Sequence, residues 1–88
     1  MKILVIGAER RNVGDTLWDH PDITYLDTHE LIRRGIPPTV DLVILTRFMQ
    51  HVSMQRVRTA VKQRKVKWMG PLSTGQLKQE LKAQVGGR

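Results

Sequence analysis

Asp41–Lys65, DLVILTRFMQHVSMQRVRTAVKQRK, decides how the chain is read. Leu42, Val43, Ile44 and Leu45 are four apolar residues in a row, the pattern of a strand covered on both faces rather than one. The polar-to-apolar loop Thr46–His51 follows, and then a basic amphipathic helix over about Val52–Arg64. Met54, Val57, Ala60 and Val61 form its apolar face, and Arg58, Lys62 and Lys65 form a basic stripe on its flank. A buried strand followed by a loop and a helix is the repeating unit of an α/β sheet, in which loops after strands line the ligand-binding edge.

Working outward, Lys2–Ile6 is a second continuous apolar run, closed by Gly7, and reads as strand one. A helix is expected over about Arg11–Asp19, with Val13 and Leu17 on one face, ended by His20-Pro21 because the residue before proline avoids helical angles. Ile23–Leu26 is strand two. Asp27-Thr28-His29-Glu30 has the form of a capping box opening a short helix, His29–Arg34, that Gly35 closes. Pro37-Pro38 is a rigid connector into strand three, Leu42–Leu45. Val66–Met69 is strand four, with a break expected at Gly70-Pro71. Ser73 and Gln76 form a second capping box, and the last helix, about Thr74–Val85, buries Leu77, Leu81 and Val85.

Alternating strands and helices imply parallel strands joined by right-handed crossovers. The expected fold is a single α/β domain over 1–88, Rossmann-like, with a four-stranded parallel sheet in the order 2-1-3-4 and helices on both faces. Strands one and three are solidly apolar and belong in the centre. Strands two and four are mixed, as edges are. Lys65 and Lys67 beside strand four discourage edge-to-edge pairing. An 88-residue chain supports only a small core, so a homodimer is one way to cover apolar surface, with strand four or Phe48/Met49 as its interface.

Charge is distributed unevenly. Residues 1–44 hold five basic and seven acidic residues, a net −2; residues 45–88 hold ten basic residues and one acid, Glu80, a net +9. Such asymmetry points to an anionic partner: nucleic acid, a nucleotide or an acidic protein surface. The nucleic-acid candidates are Arg56, Arg58, Lys62, Lys65, Lys78 and Lys82. The bland alternative is a solvated face. The chain has no cysteine, which excludes disulfides and thiolate metal sites and fits a reducing, cytoplasmic location. The opening apolar run is too short for a signal peptide or membrane span.

At the expected switch point between strands one and three, two loops face each other. Gly7, Arg10, Arg11 and Asn12 form a glycine turn into a helix, able to present amides to a phosphate, yet neither the three-glycine dinucleotide fingerprint nor a P-loop ending is present. Thr46, Arg47 and His51 form the other loop, where Arg47 can hold a phosphate or carboxylate in a fork. Phe48 and Met49 either fold into the core or mark an interface. Asp27 lies about where dinucleotide-binding domains place a ribose-binding acid, and serves equally well as a cap. Ser73 and Thr74 complete the ligand-edge set. They read better as helix-start residues than as nucleophiles, because no glycine-flanked elbow surrounds them. His20, His29 and His51 are scattered without ligand spacing, so no metal is expected. No nucleophile–base pair can be assembled, so catalysis is not expected, and no cofactor is assigned.

The opening KILVIGA, the central DLVILTRFMQHVSMQRVRTAVKQRKVKW and the closing STGQLKQEL together resemble the DUF2325 family of small bacterial and phage domains. That resemblance spans most of the chain. It implies a Rossmann-like α/β fold and carries no established activity. Three functions therefore stand open: a non-catalytic module contacting nucleic acid or a nucleic-acid machine, a sensor of a nucleotide or phosphorylated ligand at the sheet edge, and a protein-interaction module.

Overall fold

The computed structural model describes residues 1–48 and 51–86, with the side chains of 51–53 excepted. Its strands are β1 (Ile3–Ile6), β2 (Ile23–Leu26), β3 (Leu42–Thr46) and β4 (Lys67–Leu72). They form one parallel sheet in the order β2-β1-β3-β4, the expected topology. The register places Ile3 beside both Ile23 and Leu42, and Ile6 beside both Leu26 and Leu45. Every residue of β1 and β3 is buried, as two unbroken apolar runs require.

Because side chains alternate along a strand, each central strand feeds two cores. Ile3, Val5, Leu42 and Ile44 project to one face. There they meet Val13 of α1 (Arg10–Val13), Leu17 of α2 (Asp15–Trp18), and Leu77 and Leu81 of α5 (Thr74–Val85). Leu4, Ile6, Val43 and Leu45 project to the other. They meet Leu31 of α3 (Thr28–Arg34), Ile36, and Val57 and Val61 of α4 (His51–Arg64).

Two expectations need correction. The helix over Arg11–Asp19 is instead two single turns, α1 and α2, divided by Gly14 at φ 86° and ψ 165°, a region open essentially to glycine alone. Strand four does not stop at Gly70-Pro71. The chain passes through a cis Gly70–Pro71 bond and pairs on to Leu72, with a register shift opposite Leu45. An edge strand tolerates proline because its outer side has no ladder to complete. A side chain at Gly70 (φ 118°) would overlap the Leu45 carbonyl oxygen and lie 3.0 Å from the Leu45 Cβ. Lys65 closes α4 in the left-handed region at φ 56°, a conformation that costs a non-glycine residue about 1–2 kcal/mol.

These two glycines give a paired prediction. Gly70→Ala, strained in φ and blocked by backbone, should destabilise the domain by about 3 kcal/mol or more. Gly14→Ala, strained in φ but with nothing within 4 Å of the added carbon, should cost about 1–2 kcal/mol. Chemical denaturation of both variants measures the difference.

Candidate functional site

All four strands run parallel, so the loops leaving them share one edge. At its centre, between β1 and β3, Thr46 is fully buried and its hydroxyl donates to the Ile6 carbonyl at 2.9 Å. Thr46 therefore bridges the two central strands at the switch point. The Gly7 amide donates back to Leu26, at 3.0 Å. In the next turn the Asn12 side chain accepts from the Glu9 amide at 2.7 Å.

The arginines of this loop have partners. Arg10 Nε donates to Asp15 at 2.7 Å and its Nη2 to Asp19 at 3.1 Å. The Asp15 hydrogen bond, helped by the charge of Asp19, raises the guanidinium pKa further above its ordinary value. Arg11 pairs with Glu9 at 3.3 Å. Asp27 caps α3, accepting from the Glu30 amide at 2.7 Å. Ser73 and Gln76 cap α5 reciprocally, through bonds of 3.0 and 3.4 Å; Thr74 beside them is half-buried. Arg47 and Phe48, by contrast, are exposed after β3, with the Arg47 amide held by the Leu72 carbonyl at 3.0 Å. Met49, Gln50 and the His51 side chain lie outside the described residues, so whether His51 joins Arg47 on one anion does too.

A cleft of about 640 Å³ lies on the α1–α2–α5 face, floored by Val13, Leu17 and Val85 and rimmed by Asp15, His20 and Lys82. None of the ligand-edge residues lines it. Among the described residues, no group of three His, Cys, Asp or Glu side chains is placed to hold a metal ion, and no helix is long and apolar enough to cross a membrane.

The basic second half has a different character. The ion pairs among the described residues use Lys2, Arg10, Arg11 and Arg34 as their cations. None uses a base between Arg47 and Lys82. The sequence explains why, since no acid occurs between Asp41 and Glu80. The six nucleic-acid candidates divide between two layers. Arg56, Arg58, Lys62 and Lys65 belong to α4 and its end; Lys78 and Lys82 belong to α5, across the sheet. Arg56 and Lys62 are exposed. Arg58 is half-buried, its guanidinium 5.8 Å from the Trp68 ring centroid, with Nε buried and without a hydrogen-bond partner. This places Arg58 as a lid on Trp68, a contact worth about 0.5–1 kcal/mol.

The other aromatic pair is also engaged. Trp18 and Tyr25 stack with centroids 4.3 Å apart, and the Tyr25 hydroxyl donates to the Leu17 carbonyl at 3.0 Å. Of the four aromatics that could stack on bases, Phe48 is the exposed one, at 45%. Sequence spacing does not show that Trp68 is covered by an arginine ten residues earlier, nor that Trp18 and Tyr25 cover each other.

No family model matches the chain, and neither curated proteins nor solved structures include a significant match to it.

The Tyr25 contacts can be tested directly. Burial pushes its phenol pKa from 10.0 up to about 12. Folding thus favours the protonated phenol: that stabilisation is complete below pH 10 and is lost as pH rises through about 12. Tyr25 is the single tyrosine of the chain, so ultraviolet titration reads it alone. The folded domain should ionise near pH 12 and the urea-unfolded chain near pH 10.

Proposed function

We propose that this domain is a non-catalytic, cytoplasmic module that binds nucleic acid through the outward face of α4 and the basic residues at its end. One observation carries the reading. Among the described residues, the bases from Arg47 to Lys82 have no ion-pair partner, whereas most cations of the first half do. The resemblance to a small-domain family supplies no activity, so the reading rests on where the charges sit.

The shape of the charge favours a polymer over a small ligand. α4 has fourteen residues, a length of about 20 Å, and carries Arg56, Arg58, Lys62 and Arg64 without an acid. Lys65 and Lys67 continue the positive run. Cations spread over that length, with Arg56 and Lys62 both exposed, match several phosphates of one strand, while a single small anion needs cations converging on a point. Like charges at i and i+4, as in Arg58 and Lys62, repel by a few tenths of a kcal/mol, and a polyanion relieves that repulsion. With Trp18, Tyr25 and Trp68 each in contact within the fold, contacts are expected to fall on phosphates and not on bases. Binding should then be nearly independent of sequence.

The double variant Arg56→Glu/Lys62→Glu tests this. Both side chains are exposed, so stability should change by less than about 1 kcal/mol. Affinity for a labelled oligonucleotide should fall at least tenfold at low salt, with a shallower salt dependence. Undiminished binding in that variant would remove α4 from the interface.

A further inference from the structure

We infer that the domain has a discrete phosphoryl-binding site at the edge of the sheet opposite the strand-following loops, where α4 ends and β4 begins. A cleft of about 540 Å³ opens there, lined by Arg64, Lys65 and Lys67 on one side and by Pro37 and Pro38 on the other. It lies at the end of α4, and three cations of the second half line one concavity there.

Three features make it more than a stretch of charged surface. First, Arg64 is held in place. Its Nη1 donates to the Ile36 carbonyl at 2.7 Å, across from the helix, which fixes the guanidinium while leaving its other N–H groups for an anion. Second, Lys65 takes the left-handed conformation that ends α4, with its amide donating to the Lys62 carbonyl at 3.2 Å. Glycine is the usual residue for that position and would relieve the strain; a lysine there adds charge at a conformational cost. Third, the wall is stiff. Pro37-Pro38 has fixed φ angles, which limits how far that side can move. Asp41 is the carboxylate lining it, and its Oδ2 accepts from the Lys2 amide at 2.8 Å, leaving three cations against one acid.

The chemistry recognised is a phosphoryl group with more than one charged oxygen. The occupant is either the terminal phosphate of a nucleic-acid strand lying along α4, or a free polyphosphate, including that of a nucleotide. The first source rests on the nucleic-acid reading above; the site itself does not.

Tripolyphosphate is the probe, titrated into the full chain at low salt and followed by amide chemical shifts. Shifts should concentrate on Ile36, Val40 and Arg64–Lys67. Lys65→Gly should weaken binding at least fivefold while leaving the melting temperature unchanged or higher, and Lys67→Gln should weaken it without unfolding. Lys78→Ala, on the opposite layer, should leave it unchanged. Shifts that are absent, or spread evenly over α4 and α5, would overturn the site, as would full-strength binding by Lys65→Gly. Oligonucleotides with and without a 5′-phosphate separate the sources. A gain of fivefold or more from the terminal phosphate, lost in Lys65→Gly, assigns the site to strand ends. Tripolyphosphate binding without oligonucleotide binding keeps the site, assigns it to free polyphosphate and refutes the nucleic-acid reading alone.

Discussion

The structure depends on the two-sided burial of β1 and β3. The eight residues of Ile3–Ile6 and Leu42–Leu45, four pairs across the two strands, are each no more than 5% exposed. Apolar area of that extent must be covered on both faces, so helices are required above and below the sheet. Parallel pairing of the two strands then requires crossovers, and the crossovers set the order β2-β1-β3-β4. At the seam, the Thr46 hydroxyl satisfies a carbonyl of the neighbouring strand end. That hydrogen bond lies at the switch point between the two central strands.

The same division of labour runs through the charges. In the first half, cations and carboxylates hold local structure together: Arg10 links α1 to both ends of α2, and Lys2 ties β1 to Asp22. These pairs are exposed and individually weak. The second half lacks the acids to do the same. Its cations are either spread along α4, laid over Trp68, or gathered at the helix end against the diproline wall. The cations paired with carboxylates thus lie in the first half, while among the described residues those of the second half have no such partner.

Much of this fold was legible in the sequence because its signals are local. Two four-residue apolar runs, turn glycines and two cap sequences place the elements and, with the crossover rule, the sheet order. What escaped is non-local. Gly14 reads as a weak helix residue until its φ of 86° shows it to be a divider. Gly70-Pro71 reads as a break because nothing in the sequence indicates that β4 passes beneath the Leu45 carbonyl. Lys78 and Lys82 lie across the sheet from α4 because α5 packs on the opposite core, a placement that no crossover after α5 announces in the sequence. Thr46 reads as a ligand residue by its position after a strand; its hydroxyl donates to the carbonyl of Ile6, forty residues away. The cleft at the end of α4 had no sequence signature, since it joins residues 36–41 to residues 64–67.

The measurement that tests the central claim most directly is a salt titration of binding to a mixed pool of labelled DNA and RNA, from about 50 to 200 mM. If the cations of α4 and its end each contact a phosphate, affinity should fall by about a thousandfold or more across that range. Absence of binding at the lowest salt, or binding indifferent to salt, would contradict the account and return the basic half to the status of solvated surface.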